Sequence, residues 1–143
     1  MDSSDGPHSS VNSPGSRVPP LVLIVDDEAP IAEALALIIE EAGYTPLIAF
    51  RGQSALELAR QHHPELIITD MMMPQLDGAR LVAILRAEAE AEARRMPPVI
   101  AMTAGGLRHA LSVGADAVMP KPFTIDDVES LLRRFLPPIA ASE

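Results

Sequence analysis

The chain is organised around one stretch, Leu66-Ile67-Ile68-Thr69-Asp70-Met71-Met72-Met73-Pro74-Gln75-Leu76-Asp77-Gly78. Its first four residues form a short apolar run with β-branched side chains, which is typical of a buried strand. Asp70 stands where that strand is expected to stop, and a buried carboxylate without a partner is costly. Open parallel sheets bind ligands beyond the carboxyl ends of their strands, so this position favours chemistry over packing. An Asp that merely caps a turn is the alternative for this stretch taken alone.

The composition limits the classes to which the protein can belong. The chain has 143 residues, enough for one domain with a hydrophobic core. Cysteine is absent, which excludes disulfides and thiolate metal sites and suits a reducing compartment. The formal net charge of −9 argues against direct binding to nucleic acid, because phosphate backbones attract clustered Lys and Arg. No apolar run is long enough to span a bilayer, so we expect a cytoplasmic protein without membrane insertion.

Apolar runs of strand length alternate with segments of helical periodicity along most of the chain. Strands are predicted over residues 21–25, 45–50, 66–69, 99–102 and 115–119. Helices are predicted over residues 30–42, 54–61, 78–95 and 105–113, the last of these short, and after a cap at Thr124. The inward face of the final helix is predicted to be Ile125, Val128, Leu131, Leu132 and Phe135. Such alternation predicts a parallel sheet with helices on both faces.

One folded domain is predicted, over residues 21–138, between two tails. Residues 1–20 are rich in Ser, Pro and Gly and are expected to be disordered, because they cannot bury enough apolar surface to offset the cost of ordering. Residues 139–143 are expected to form a short C-terminal tail. No output domain is expected after the folded domain.

Polar side chains are predicted at the ends of four strands. Asp26 and Asp27 follow the first strand, Asp70 follows the third, Thr103 ends the fourth, and Lys121, the only lysine, lies just past the fifth. Parallel strands place all of these ends at one edge of the sheet. Three carboxylates there would repel each other unless a cation lay among them, and oxygen ligands suit Mg²⁺ or Mn²⁺. With a hydroxyl and an ammonium, the cleft matches a phosphoryl group, which a carboxylate can accept as an aspartyl-phosphate.

These residues also have ordinary structural explanations. Asp26 and Asp27 could be acids that favour the start of a helix through its dipole. Thr103 could simply end a strand. The five positions acquire their chemical meaning only when they are taken together.

At these residues the chain closely resembles the receiver domain of two-component response regulators, over roughly residues 21–136. The resemblance implies a flavodoxin-like α/β fold, with five parallel strands in the order 2-1-3-4-5. Five motifs carry the resemblance, in order and at strand ends: Val25-Asp26-Asp27, the stretch from Asp70 to Gly78, Met102-Thr103-Ala104, Gly114-Ala115-Asp116 and Lys121-Pro122-Phe123.

The resemblance implies a phosphorylation site and a metal site. Asp70 would be the phosphoacceptor, modified in a Mg²⁺-dependent reaction by a sensor histidine kinase or a phosphotransfer protein. Asp27 would bind the ion directly and Asp26 would act through water. Asp70 and the backbone carbonyl of Met72 would complete the protein ligands.

The resemblance also implies a switch. Thr103 would supply the switch hydroxyl, and Lys121 would be the ion-pairing lysine, whose bond to Pro122 is typically cis in this family. The implied function is a stand-alone signalling switch that changes its binding to a downstream protein. Its chemistry would be limited to its own phosphorylation and dephosphorylation, so we do not expect an enzyme.

The chain departs from the family pattern near the switch. Val118 stands three positions before Lys121, where receivers usually carry an aromatic residue coupled to the threonine. The only tyrosine, Tyr44, belongs near the second strand and cannot take that role. We therefore predict that the signal leaves Thr103 through the loop after the fourth strand.

Two further departures concern the lifetime of the phosphoryl group and the output face. Met72 and Gly105 occupy positions that often tune this lifetime, and neither has a polar group to orient an attacking water. We therefore expect slow self-dephosphorylation. The interval from Thr103 to Gly114 is about one helical turn shorter than is usual in the family, so the fourth helix is expected to be short.

Three other functions compete with this interpretation. A scaffold receiver would bind partners without phosphorylation, although the intact set of Asp27, Asp70, Thr103 and Lys121 argues against loss of the chemistry. A metal-dependent phosphate hydrolase with an Asp nucleophile usually carries a second acid two residues later, where this chain has Met72. A dinucleotide-binding domain is disfavoured, because no Gly-rich turn follows the first strand.

Overall fold

The computed structural model describes residues 19–105 and 114–137, in which five strands alternate with four helices. Most of the predicted fourth helix (residues 106–113) and most of the predicted N-terminal tail (residues 1–18) lie outside the described residues. So do residue 138 and the whole predicted C-terminal tail, residues 139–143. The strands are β1 (Leu21–Val25), β2 (Thr45–Ala49), β3 (Leu66–Asp70), β4 (Val99–Thr103) and β5 (Ala117–Pro120). The helices are α1 (Ala29–Glu41), α2 (Gly52–His62), α3 (Gly78–Ala91) and α4 (Ile125–Phe135).

The strands form one sheet in the order β2-β1-β3-β4-β5, and every neighbouring pair is parallel. This confirms the predicted fold class and strand order. The connection after β1 runs toward one edge of the sheet and the connection after β3 runs toward the other. A crevice therefore forms between these two strands at their carboxyl ends. The residues that follow β1, β3, β4 and β5 therefore meet at one edge.

The sheet is buried on both faces because successive side chains of each strand point to opposite sides. Ile24 packs in one core cluster with residues of α1 and α4, while Leu23 packs in another with residues of α2 and α3. Strands that are covered on both faces need apolar residues at every position, which explains the continuous apolar runs in the sequence.

The helices that frame the carboxyl edge begin at recognisable local signals. Pro30 lies in the first turn of α1, where its missing N–H costs no hydrogen bond. Asp77 caps α3 by accepting a hydrogen bond from the Arg80 amide at 3.0 Å. Thr124 and Asp127 form a reciprocal capping box at α4, as the sequence predicted, and this fixes the start of the helix four residues after Lys121.

Several predicted element boundaries were wrong by one to four residues. Helix α2 begins at Gly52 rather than at residue 54, and two other differences have a visible physical cause. β5 begins at Ala117 rather than at residue 115, because the residue before it, Asp116, is hydrogen-bonded to Val99 at the start of β4. Its amide donates to the Val99 carbonyl and its carboxylate accepts from the Val99 amide, both at 2.8 Å. Helix α3 ends at Ala91 rather than at residue 95, since Ala93 takes a left-handed conformation with φ of 54°.

The predicted inward face of the last helix needs one correction. Ile125 is 58% exposed, because the first residue of α4 lies beyond the end of the sheet. The core contacts of this helix come from Val128 and Leu132, which are buried, and from Leu131 and Phe135, which are partly buried. None of the helices in the described ranges combines the length and the apolar character needed to cross a membrane.

Candidate functional site

Three acidic side chains meet at the carboxyl edge of the sheet. Val25 pairs with Thr69, so Asp26 and Asp70, the residues that follow them, lie side by side on neighbouring strands. One carboxylate oxygen from each of Asp26, Asp27 and Asp70 lies within 4.8 Å of the others. Asp26 is fully buried and Asp70 is 6% exposed, whereas Asp27 is exposed. The predicted acidic cluster is therefore assembled by adjacent strand ends.

The ammonium of Lys121 lies between the two buried acids. Its Nζ is 2.8 Å from Oδ2 of Asp26, 3.1 Å from Oδ2 of Asp70 and 4.0 Å from Oε1 of Glu28. Burial alone would lower the pKa of Lys121, but its contacts with Asp26 and Asp70 outweigh that effect and raise the pKa above its usual value. The lysine is therefore held in its charged form.

The backbone at the end of β5 directs Lys121 toward the acids. The Lys121 amide donates to the carbonyl of Thr103 at 3.0 Å, which extends the pairing of β4 with β5 by one residue. The bond from Lys121 to Pro122 is cis, as the resemblance implied.

Asp26 has an unusual hydrogen-bonding environment. Its Oδ1 accepts from the Glu28 amide at 2.9 Å, while its buried Oδ2 has a single partner among the described residues, the ammonium of Lys121 at 2.8 Å. A buried carboxylate oxygen in this state retains the capacity to attract a cation. Together with the neighbouring carboxylates it forms an all-oxygen donor set, which suits Mg²⁺ or Mn²⁺.

The loop after β3 is tied to Asp70 at its first residues. The Met72 amide donates to Oδ1 of Asp70 at 3.3 Å. Gly78, at the start of α3, packs so closely that an added Cβ would lie 2.5 Å from the carbonyl oxygen of Asp70. Glycine at position 78 thus lets α3 begin directly beside the acid.

The Thr103 hydroxyl is engaged with the next loop. It accepts a hydrogen bond from the Gly105 amide at 3.1 Å and donates to the Gly105 carbonyl. Thr103 nevertheless lines the same cleft as Asp70 and Lys121. In this structure the hydroxyl therefore lies beside the acidic cluster, but its hydrogen bonds are to Gly105.

A cleft of about 680 Å³ unites most of the predicted site residues, a size that is ordinary for ligand sites. Asp26 lies buried beneath it. The cleft is lined by acidic and polar residues (Asp27, Glu28, Asp70, Thr103, Lys121) and by an apolar rim of Pro30, Ile31, Ala34, Met72, Ala104, Pro122 and Phe123.

Two of the predicted tuning positions lie away from this cleft. Val118 packs with Met71 and Ala101 in a small cluster to which Ala79 and Ala115 also contribute. An added Cβ at Gly105 would meet no atom within 4 Å. Position 118 therefore lies among apolar side chains, one methionine and several alanines, rather than at the acidic site.

Sequence reasoning missed two features of the cleft. Glu28 was not among the predicted site residues, yet its carboxylate lies 4.0 Å from the ammonium of Lys121. Ile31 was assigned to the core by its helical spacing, yet it is half-buried and lines the cleft. Its place in the first turn of α1, next to the acidic pair, was the available signal.

A sequence model of the response regulator receiver domain matches residues 22–133. The chain belongs to the response regulator receiver domain family. It is 40% identical over 118 residues to the transcriptional regulatory protein PdtaR of Mycobacterium tuberculosis, an alignment that covers 79% of this chain and 55% of PdtaR. The chain spans about half the length of the curated relatives it matches.

Solved structures of receiver domains share the fold. The chemotaxis protein CheY4 of Vibrio cholerae superposes with a TM-score of 0.74 at 27% identity, covering 82% of this chain and 99% of CheY4. The receiver domain of Saccharomyces cerevisiae Ssk1, crystallised with the histidine phosphotransfer signaling protein Ypd1, gives 0.74 at 21% identity, covering 82% and 88%. The second likeness concerns the fold alone. Receiver domains are signalling switches that bind Mg²⁺ at an acidic pocket, and the aspartate cluster lies at the carboxyl edge of this one.

A second cavity, of about 520 Å³, lies at the opposite edge of the sheet. Its walls include Ile67, Leu85 and Phe135, with Arg94 and Arg95 at the rim. None of the predicted site residues lines it. The predicted site residues are therefore concentrated in the cleft at the carboxyl edge.

Proposed function

We propose that this receiver domain is a phosphorylation-dependent switch in which Asp70 accepts a phosphoryl group from a phosphohistidine. The observation that carries the proposal is the position of Lys121, whose ammonium contacts Asp26 and Asp70, two of the three clustered aspartates. An ammonium so placed balances two buried charges in the unmodified protein. It also lies 3.1 Å from the Asp70 carboxylate that would become the acyl phosphate.

In the transfer step, a carboxylate oxygen of Asp70 forms a bond to phosphorus while the phosphorus–nitrogen bond of the phosphohistidine breaks. The second ring nitrogen of the phosphohistidine carries a proton before transfer, so the electron pair of the broken bond stays on the released nitrogen and the ring leaves as a neutral imidazole. Lys121 would then pair with a phosphoryl oxygen, which keeps the added charge neutralised.

The residues around Asp70 fit a divalent ion. Asp26, Asp27, Asp70 and the backbone carbonyl of Met72 would hold Mg²⁺, or Mn²⁺ in its place. When bound, the ion would supply positive charge that stabilises the phosphoryl oxygens during transfer.

The readout is proposed to pass through the end of β4. The Thr103 hydroxyl would leave Gly105 and donate to the phosphoryl group, which would release the backbone of Gly105. Val118 lacks the bulk and the hydroxyl of an aromatic switch residue, so the change would be transmitted by the loop rather than by a buried ring.

The phosphodonor is proposed to be a sensor histidine kinase or a histidine phosphotransfer protein, in a cytoplasmic signalling pathway. The apolar rim of the cleft, which includes Ile31, Ala34 and Phe123, supports this assignment. A helix that presents a phosphohistidine would pack its apolar face against such a surface around the transfer site. The folded unit that would take part is proposed to be residues 21–138.

Phosphorylation by a small donor tests the proposal without a cognate kinase. The wild type and Asp70→Asn are incubated with acetyl phosphate and Mg²⁺ and compared by intact mass. The wild type should gain one phosphoryl group, and Asp70→Asn should gain none because the amide keeps the shape and loses the nucleophile. Asp126→Asn, which changes an exposed acid on α4, should behave as the wild type.

An unmodified wild-type protein would contradict the proposal and favour a scaffold that binds partners without phosphorylation. Equal modification of Asp70→Asn would show that another residue is the acceptor. After removal of acetyl phosphate, the same measurement gives the lifetime of the phosphoryl group. Neither Met72 nor Gly105 orients water, so the modification should outlast seconds.

A further inference from the structure

Gly52, the first residue of α2, lies unusually close to the loop that joins β3 to α3. It is buried, and an added Cβ would lie 2.5 Å from the carbonyl oxygen of Leu76 and 2.7 Å from the Cβ and Cγ of Leu76. A tetrahedral carbon does not approach a carbonyl oxygen this closely. Any side chain at position 52 therefore has to displace the backbone of the loop.

Backbone conformation does not account for glycine at this position. Gly52 lies at the start of a helix and outside the left-handed region, where alanine is the better helix former. Close approach of Leu76 is the remaining structural reason for glycine here. The loop therefore occupies the space that a Cβ at position 52 would need.

The loop held in this way carries Met72, whose carbonyl is a proposed ligand of the cation. At the other end of the loop, an added Cβ at Gly78 would meet the carbonyl oxygen of Asp70 at 2.5 Å and Cα of Met71 at 3.0 Å. Two glycine contacts therefore hold the loop, one beside the phosphoacceptor and one at Leu76. The Met72 amide, between them, donates to Oδ1 of Asp70.

The loop has little freedom to absorb a displacement. Met73 is buried and Leu76 is partly buried in the core cluster that includes residues of α2 and α3. Gln75 already adopts a left-handed backbone conformation, with φ of 67°. A push at Leu76 is therefore passed along the loop toward Met72 rather than taken up by the intervening residues.

We propose that Gly52 is a positioning residue for the phosphoryl-transfer site, 18 positions before Asp70 in the chain. It sets the β3–α3 loop so that the Met72 carbonyl can join Asp27 and Asp70 around the divalent ion. This inference rests on the proposed function. It assigns to α2, which contributes no residue to the cleft, control over the affinity of the site for Mg²⁺.

The test compares Gly52→Ala with Gly114→Ala. Gly114 has φ of 90°, and a Cβ there would lie 2.8 Å from the Arg86 guanidinium, so alanine is also strained at this position. It precedes β5 at the amino edge of the sheet, away from the loop. Mg²⁺ is titrated into each ¹⁵N-labelled protein and followed by the amide shifts of Asp27 and Asp70, and stability is measured separately by urea unfolding.

Gly52→Ala should raise the Kd for Mg²⁺ about tenfold, the size of effect that second-layer groups exert on metal sites. Gly114→Ala should lose stability and keep the wild-type Kd. A wild-type Kd in Gly52→Ala would overturn the inference, as would an equal loss of affinity in both variants. A wild type that binds no Mg²⁺ would overturn the proposed function itself.

A second variant covers the case in which Gly52→Ala does not fold. Leu76→Ala removes the side chain that packs against Gly52 and leaves the loop less firmly seated. It should raise the Kd for Mg²⁺ in the same direction, by a smaller factor. An unchanged Kd in Leu76→Ala would overturn the inference.

Discussion

Lys121 combines two requirements that are otherwise in conflict at this site. Asp26 and Asp70 must stay ionised while they are buried, and an unpartnered buried charge is strongly destabilising. A lysine satisfies both acids with one compact ammonium, which can later turn to a phosphoryl oxygen. Arginine would present a planar, bidentate group whose geometry suits one carboxylate rather than two.

Replacing Lys121 with methionine should destabilise the protein in the absence of Mg²⁺. The substitution leaves Asp26 and Asp70 buried beside each other without a counter-charge, so we expect a loss of roughly 2–3 kcal/mol in the free energy of unfolding. Saturating Mg²⁺ should recover part of that loss, because the ion binds the folded state and supplies the missing charge. Urea unfolding followed by circular dichroism, with and without Mg²⁺, measures both effects.

Arg60→Met is the matched control for this prediction. Arg60 pairs with Glu88 at 2.5 Å on the surface, where screening by solvent leaves ion pairs little net effect on stability. Its loss should be small and independent of Mg²⁺. A Lys121→Met protein that is as stable as Arg60→Met would contradict the role given to the ammonium.

At the scale of single elements, the end of β4 is the part of the site that is able to change. Within the described residues, the Thr103 side chain makes its hydrogen bonds to Gly105 alone. The other site residues are fixed more firmly, because Lys121 contacts both Asp26 and Asp70. If the Thr103 hydroxyl exchanges its bonds to Gly105 for a bond to a phosphoryl oxygen, only local contacts are broken. The strand itself need not move, since its pairing with β5 includes Thr103 and Pro120.

Phosphorylation should therefore shift the backbone amide of Gly105. Its N–H donates to Thr103 Oγ1, and that bond is lost when the hydroxyl turns to the phosphoryl group. The shift is measured in ¹⁵N–¹H spectra before and after treatment with acetyl phosphate and Mg²⁺. Thr103→Val, which lacks the hydroxyl, should abolish the change.

Thr45→Val serves as the control, because Thr45 is exposed at the start of β2 and far from the cleft. It should leave the Gly105 shift intact. A Gly105 amide that stays unchanged in the fully modified wild type would contradict a readout through this loop.

At the scale of the whole molecule, the parallel sheet explains how residues far apart in sequence form one site. Asp26, Asp70, Thr103 and Lys121 come from four strand ends, and the order β2-β1-β3-β4-β5 makes those ends neighbours. The strand order itself came from the resemblance to receivers. The alternation of elements predicts only that the strands are parallel and covered on both faces.

What the sequence left out depends on packing between distant residues. Thr103 has several nearby groups to which it could bond, and the periodicity of the sequence does not indicate that it bonds to Gly105. The contact of Gly52 with Leu76 joins the start of α2 to a loop that is distant along the chain, and the sequence prediction placed the start of that helix at residue 54 and gave Gly52 no role. Ile125 was assigned to the core by spacing, which does not reveal where the sheet ends.

The identity of the phosphorylated residue tests the central claim most directly. Borohydride reduces an acyl phosphate to an alcohol and leaves a free carboxylate intact, so treatment of the modified protein converts the acceptor aspartate to homoserine. Peptide mass spectrometry then locates that residue. We predict homoserine at position 70 alone, formed only when Mg²⁺ and the phosphodonor were both present. Homoserine at position 26 or 27, or none at all in a protein that carries the phosphoryl group, would contradict the account.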